Sequence, residues 1–166
     1  YAPFAVSIAL RKEREILIGV VYIVPSDECF YAWKEGGAFL NGKAISVNKQ
    51  DDIDKALLCI ELPYNDKAYH DIGMHLLNHF YGRAGGIRMN GSAASALCYV
   101  AAGRLDGWLE KYIGQWDYSA GVLIITEAGG KVTDFSGSDD YLFGDNIVAT
   151  NGVIHKELLK EVKAKV

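Results

Sequence analysis

The sequence predicts a mixed α/β (α+β) fold, with an antiparallel sheet in the first third of the chain and a mixed sheet flanked by helices after it. The first third contains short runs of apolar and β-branched residues separated by turn residues, a pattern typical of antiparallel strands. After Leu57, strand-like runs alternate with helical patterns. One of these helices is apolar on nearly all sides, so we expect it to be buried against a sheet.

Length and composition limit the class of protein. A chain of 166 residues is long enough for one domain with a sizeable core. The net charge of −4 and the lack of a long basic run argue against nucleic acid as a main partner. The longest apolar run, residues 16–24, is broken by Gly19 and is too short to span a bilayer. We therefore expect no membrane partner.

The start of the chain and the cysteines bear on location and completeness. The chain begins at Tyr1 without Met, and no signal or transit segment is visible. This predicts that the true start lies upstream or that the chain is a piece of a longer protein. Cys29, Cys59 and Cys98 are far apart and have apolar neighbours. They are interpreted as buried free thiols in a reducing compartment, so we expect a cytoplasmic protein.

Turn signals divide the first third into strands. Residues 4–10 and 15–24 are strand-like, and the charges between them lie in residues 11–14, which indicates an antiparallel hairpin. A turn at residues 25–27 precedes a third strand at residues 29–33. Asn41-Gly42 is a strong signal for a type I′ hairpin.

Two stretches contain residue types that can bind metals. The acidic residues 51–54 fit a metal site or a solvated turn before a strand at residues 56–62, and we favour the turn. Residues 66–79 have helical spacing and contain His70, His75 and His79. Two histidines four positions apart can bind zinc, but the pair needs a third ligand. We favour a structural role for these histidines.

A second helix is predicted from its caps and its apolar stripe. Ser92 is a natural N-cap and Gly103 a natural residue after the C-terminus. The free amides of its first turn can bind anions or hydroxyl groups, and the small residues Gly91, Ser92 and Ala93 would let a ligand approach the backbone. Helix capping alone also accounts for these residues.

The second half of the chain places two acids between predicted elements. A strand at residues 105–109 is expected to deliver Glu110. Asp117 stands directly before the apolar helical run that stops at Gly129-Gly130. An Asp at a helix start can cap the helix or present an oxygen to a cation or ligand. Strands at residues 131–134 and 146–150 and an amphipathic helix at residues 154–166 complete the prediction.

Three segments resemble the inositol monophosphatase family of Mg-dependent, lithium-sensitive sugar phosphatases. Residues 115–130, QWDYSAGVLIITEAGG, match the family signature WDxxAGxxIxxEAGG, with Ser119 replacing the commoner Ala. Residues 32–47, AWKEGGAFLNGKAISV, resemble a hairpin of the family's central sheet. Residues 91–107, GSAASALCYVAAGRLDG, resemble its substrate-side helix. The resemblance runs from the first hairpin to Asn151.

The resemblance implies a sugar-phosphatase-like layered αβα fold in which residues 1–166 form one domain. That domain would lack the N-terminal part of the family fold, which carries the metal motif Asp-Pro-x-Asp-Gly-Thr. By similarity, Asp117 would ligate a metal, contact the substrate and act in catalysis. Gly91, Ser92 and Ala93 would contact substrate hydroxyl groups, and Glu110 would bind the substrate.

The implied function is that of a Mg²⁺-dependent phosphomonoesterase. The parent protein would hydrolyse a small polyol phosphate such as myo-inositol 1-phosphate to inositol and phosphate, and the resemblance also suggests a homodimer. The chain alone is expected to be inactive, because it lacks the family's main metal carboxylates. Two alternatives remain open: a non-catalytic fragment or protein-interaction module of the same fold, and a relative of fructose 1,6-bisphosphatase or bisphosphate nucleotidase.

Overall fold

The computed structural model describes residues 4–62 and 70–164, and its first sheet is antiparallel throughout. Neighbouring strands pair in the order β1-β2-β3-β4-β5. The strands are β1 (Ala5–Lys12), β2 (Glu15–Ile23), β3 (Glu28–Trp33), β4 (Ala38–Leu40) and β5 (Lys43–Ile45). The predicted first hairpin and third strand are confirmed.

The turn predicted at Asn41-Gly42 forms in this sheet. Asn41 and Gly42 have φ angles of 47° and 81°, as the central residues of a type I′ turn require. Along the strands, burial alternates. Val21 and Phe30 are fully buried on one face, whereas Ile8 is 59% exposed on the other. One face of the sheet therefore packs against the protein interior, as in other antiparallel sheets.

The second sheet is mixed, as predicted. Its strand order is β7-β6-β8-β10-β9. The strands are β6 (Leu57–Ile60), β7 (Gly86–Arg88), β8 (Gly107–Lys111), β9 (Lys131–Thr133) and β10 (Asn146–Thr150). Strand β6 pairs in parallel with β7 and β8, while β10 is antiparallel to both β8 and β9. The parallel pair β6 and β8 brings the ends of these two strands side by side.

Helices cover both faces of the second sheet. They are α1 (His70–Phe80), α2 (Ala93–Ala101), α3 (Gln115–Glu127) and α4 (His155–Lys163). The predicted residues 66–69 of the first helix, and residues 165 and 166 of the last, lie outside the described residues. Gly103, at φ 69°, follows α2 as predicted.

Two hydrophobic cores lie between the layers. Side chains of the first sheet, α2, α3 and one face of the second sheet form the larger core, with Phe30, Leu97 and Ile124 fully buried. The opposite face of the second sheet packs against α1 and α4. Successive residues of β6 belong to different cores, Leu58 to the smaller and Cys59 to the larger, as expected for a strand buried on both faces. The helices and the second sheet thus form the predicted αβα layers, and the first sheet covers one side.

The segments with metal-binding residue types are engaged in structural contacts. Residues 53–55 form a 3₁₀ turn, and Asp52 accepts a hydrogen bond from the Asp54 amide at 3.1 Å. His79 contacts Glu161 at 3.4 Å and Arg83 at 2.7 Å. The favoured interpretation of residues 51–54 as a turn is therefore confirmed.

Two further observations concern the cysteines and membranes. Cys59 and Cys98 are buried as predicted, and Cys29 is only half-buried. None of the helices formed by the described residues has the length and apolar character needed to cross a bilayer.

Candidate active site

A cavity of about 380 Å³ lies where β6 and β8 end, between the first turns of α2 and α3. The carboxyl ends of parallel strands are a common place for ligand sites in sheets of this kind. All five residues predicted for the site line the cavity, and so does a further acid, Glu61, which was not predicted. These six residues are Glu61, Gly91, Ser92, Ala93, Glu110 and Asp117.

The turn before α2 presents its backbone to the cavity. Ser92 is the N-cap, as predicted, and its hydroxyl accepts a hydrogen bond from the Ser95 amide at 3.5 Å. The two serine hydroxyl groups are 2.9 Å apart. Gly91 has a φ of 70°, a conformation that favours glycine. The small side chains leave the first amides of the helix accessible to a polar ligand.

Glu110 and Asp117 reach the cavity from positions that differ from the sequence prediction. Glu110 lies within β8 rather than after a strand, where it pairs with Ile147 of β10. Asp117 does not stand before its helix, because α3 begins at Gln115 and Gly114 is the N-cap. Asp117 belongs to the first helical turn, and its carboxylate accepts a hydrogen bond from the Gly114 backbone. An acid at this position stabilises a helix start without being the N-cap.

The cavity concentrates negative charge in a partly buried space. Burial raises the pKa of Glu110 to about 7, and the charges of Glu61 and Asp117 add to the rise. Burial also raises the pKa of Asp117, against the effect of the Gly114 hydrogen bond. Carboxylates in this setting favour a cation or hydroxyl donors beside them, since either partner offsets the cost of the buried charge.

Glu61 is the site residue that sequence reasoning missed. It directly follows β6, is 6% exposed and accepts hydrogen bonds from the Asn90 and Gly91 amides. Its backbone amide donates to the Leu109 carbonyl at 3.1 Å, which continues the pairing of β6 with β8 and places Glu61 beside Glu110. A charged residue that ends a continuously apolar strand was the signal in the sequence that could have revealed it.

The described residues fit a metal site only in part. Within residues 4–62 and 70–164, no group of three or more His, Cys, Asp or Glu side chains is arranged to hold a metal ion. Asp117 can supply one carboxylate at the cavity. Hard cations such as Mg²⁺ bind oxygen ligands of this type.

The fold and the cavity together define a class of protein. The layered arrangement ends in a polar cavity lined by carboxylates and helix amides, which suits a small molecule that carries hydroxyl groups, or a phosphorylated one with a cation beside it. The chain belongs to the inositol monophosphatase family, whose sequence model matches residues 2–166.

Individual relatives and solved structures agree with this assignment. The chain is 39% identical over 160 residues to an inositol-1-monophosphatase of Mesorhizobium japonicum. It is 38% identical over 160 residues to the Nus factor SuhB of Escherichia coli. Each match covers 96% of this chain, which spans 60% of the length of either relative.

The solved structures share the fold described above. The SuhB structure of Bartonella henselae superposes with a TM-score of 0.92 at 37% identity, covering 99% of this chain and 63% of that one. An inositol monophosphatase structure from Anabaena superposes with a TM-score of 0.91 at 34% identity, covering 98% of this chain and 64% of that one. The predicted fold class is confirmed by these neighbours.

Proposed function

We propose that the whole protein to which this chain belongs is a Mg²⁺-dependent phosphomonoesterase. Its substrate would be a small polyol phosphate such as myo-inositol 1-phosphate, released as inositol and phosphate. The observation that carries the proposal is the meeting of Gly91, Ser92, Ala93, Glu110 and Asp117 in one polar cavity. Family membership supports the same class of activity.

Each of these residues has a role that suits its environment. Glu110 would accept hydrogen bonds from hydroxyl groups of the polyol, which would stabilise its buried charge. The amides of Ser92 and Ala93 would bind further hydroxyl groups, since the Gly91 amide already donates to Glu61. Asp117, which enters the cavity from the first turn of α3, would lie nearest the phosphate ester and supply one metal ligand.

The metal requires ligands beyond those of the described residues. Bound Mg²⁺ would supply charge neutralisation at the phosphoryl group and a more acidic water molecule. Its other ligands would come from parts of the whole protein that are absent from residues 4–62 and 70–164.

We further propose that the protein works in the cytoplasm as a homodimer and that residues 1–166 form one domain.

Replacing Glu110 by Gln in the whole protein tests the assignment to a polyol substrate. Glu110→Gln should reduce kcat/KM on myo-inositol 1-phosphate by on the order of tenfold to a hundredfold, the cost of weakening a hydrogen bond to a charged group. Activity on phenyl phosphate, which has no polyol hydroxyl groups, should change far less. Initial rates of phosphate release measure both.

A matched change on α4 serves as the control. Glu157 is exposed and does not line the cavity, so Glu157→Gln should leave both rates unchanged. An equal loss on the two substrates in Glu110→Gln would place Glu110 in the chemistry or in folding rather than in polyol recognition. No phosphate release from any polyol phosphate by the unchanged whole protein with Mg²⁺ would overturn the proposed function.

A second candidate is a protein-interaction role of the same fold. It is favoured by the relatives named Nus factor SuhB, a name that does not mention a phosphatase. The exposed apolar side chains of β1, which include Val6 and Leu10, offer a surface for such a role. Absence of turnover in the whole protein, with its fold intact by circular dichroism, would favour this candidate.

A further inference from the structure

We propose, building on the function proposed above, that Glu61 is a positioning residue for the substrate turn at residues 91–93. Its carboxylate lies at the cavity and accepts from two successive backbone amides, those of Asn90 at 2.7 Å and Gly91 at 3.0 Å. A second oxygen of Glu61 lies 3.2 Å from the Gly91 nitrogen. The carboxylate thus ties the end of β6 to the turn that opens α2.

The hydrogen bonds to Glu61 tie this turn to a distant part of the chain. The Asn90 amide donates to Glu61 at 2.7 Å, whereas the Ser92 and Ser95 hydroxyl groups are 2.9 Å apart. The Asn90 side chain lies 3.3 Å from the Ser92 carbonyl, and the Ser95 amide lies 3.5 Å from the Ser92 hydroxyl. Hydrogen bonds to an ionised acceptor are also stronger than bonds between neutral groups. Glu61 should therefore contribute more than the local contacts to the shape of the turn.

Glu61 itself is held rigidly. Its amide is bonded to the Leu109 carbonyl at 3.1 Å, and the Cys59 thiol lies 3.3 Å from its carboxylate. Only 6% of Glu61 is exposed, so its charge has lost most of its contact with water. Such a charge is tolerated where donors satisfy it, and here the two backbone amides are those donors.

The geometry favours positioning over direct substrate binding. One Glu61 oxygen already receives the Asn90 and Gly91 amides and the Cys59 thiol, and the other lies 3.2 Å from the Gly91 nitrogen. A ligand in the cavity would contact the backbone of residues 91–93. The orientation of that backbone depends on Gly91 keeping its φ of 70°. Loss of the tether should leave the turn in place but less ordered, and a less ordered turn binds polyol hydroxyl groups more weakly.

A structural measurement tests the tether without enzyme turnover. In the whole protein, Glu61→Gln should speed amide hydrogen exchange at Asn90 and Gly91 by about tenfold, since a neutral oxygen accepts more weakly than a carboxylate. NMR-detected exchange measures each amide. Unchanged exchange at both positions would overturn the proposal.

Glu127→Gln is the matched control. Glu127 likewise accepts from two backbone amides, those of Glu35 at 2.8 Å and Gly37 at 2.9 Å, but it does not line the cavity. The Glu127→Gln change should leave amide exchange at Asn90 and Gly91 unchanged. If Glu127→Gln speeds their exchange equally, the effect is one of general stability and the proposal fails.

Kinetics separate positioning from simple structural support. Glu61→Gln should raise KM for myo-inositol 1-phosphate by about tenfold with little change in kcat, and should leave KM for phenyl phosphate nearly unchanged. Glu61→Leu, which removes the acceptor altogether, should raise KM further. An unchanged polyol KM in both variants would overturn the positioning role.

The two proposals fail in different ways. If the unchanged whole protein hydrolyses no polyol phosphate, the proposed function fails, and amide exchange still decides whether Glu61 orders the turn. If the protein is active but Glu61→Gln matches Glu127→Gln in exchange and in polyol KM, only the positioning role of Glu61 fails.

Discussion

At the scale of single residues, the same chemical group serves two purposes in this molecule. Glu61 and Glu127 each accept from two backbone amides and fix turns. Glu110 and Asp117 face the cavity, where burial raises the pKa of both carboxyl groups. Carboxylates that accept from two amides fix backbone turns, and Glu110 and Asp117 remain for a ligand.

Asp117→Asn should therefore affect metal binding more than folding. Asn keeps an oxygen that can accept from the Gly114 backbone, and it removes a charge that burial disfavours. Without Mg²⁺, the melting temperature of the whole protein should stay equal or rise slightly. With Mg²⁺, the variant should lose most of the metal-induced stabilisation, and turnover should fall by on the order of a hundredfold or more.

Thermal unfolding with and without Mg²⁺, alongside initial rates, measures these effects. Near-normal turnover together with unchanged Mg²⁺ stabilisation would show that Asp117 only supports the helix start. Outright unfolding of the variant would mean that Asp117 is primarily structural.

At the scale of secondary-structure elements, close backbone contacts set how the layers meet. A Cβ atom on Gly19 of β2 would lie 2.6 Å from the Ala120 carbonyl oxygen of α3. A Cβ atom on Gly121 would lie 2.7 Å from Leu97 Cβ of α2. Glycine at these two positions lets β2, α2 and α3 approach closely, and α3 carries Asp117 into the cavity.

Gly19→Ala should destabilise the fold, because the obstacle is backbone rather than a flexible side chain. We expect a loss of about 1–3 kcal/mol in the free energy of unfolding, typical of overpacking. Gly144→Ala is the control: its Cβ would lie 3.4 Å from the nearest atom, the Tyr141 carbonyl oxygen. Urea unfolding should separate the two variants, and equal stability would contradict the close packing of β2 on α3.

His155, the first residue of α4, makes stability depend on pH. Thr133 and Thr150 hydroxyl oxygens lie 3.0 Å from its two ring nitrogens. Burial lowers the pKa of His155 to about 4, with Lys131 adding to the effect and Asp139 opposing it. Between its ordinary pKa of 6.5 and about 4, the unfolded chain binds more protons than the folded one, so stability falls as pH falls through this window.

Comparison with His155→Gln isolates this contribution. The unchanged protein should be more stable at pH 7, and its advantage should shrink by on the order of 2 kcal/mol as the pH falls from 7 to 4. Urea unfolding at several pH values measures the difference. A constant difference across the range would show that His155 is not held neutral.

Local signals predicted most elements of this fold, and non-local contacts account for what was missed. The hairpin at Asn41 and the caps of α2 depend on neighbours within a few residues, so the sequence revealed them. Glu61 was missed because its partners, Asn90 and Gly91, lie 29 and 30 positions further along the chain. The start of α3 was misplaced because its N-cap, Gly114, makes no side-chain cap that a pattern could reveal.

At the scale of the whole molecule, the first sheet has an exposed apolar face, and the described part of the site has too few metal ligands. The outer face of the first sheet exposes Val6, Ile8 and Leu10 by 51–59%. The cavity brings substrate-type residues together, but the described residues contain no group of three or more possible metal ligands. The chain also spans only 60% of the length of the relatives it matches.

The 166-residue chain expressed alone should therefore release no phosphate from myo-inositol 1-phosphate at millimolar Mg²⁺. One carboxylate, that of Asp117, would hold Mg²⁺ weakly, and two-metal phosphate hydrolysis needs several. The whole protein, which would supply the remaining ligands, should release phosphate under the same conditions. Phosphate release from the two proteins at equal concentration makes the comparison, with circular dichroism to verify that the isolated chain is folded. Equal turnover would mean that all the metal ligands needed for activity lie within this chain. The proposal that further ligands come from outside it would then be wrong.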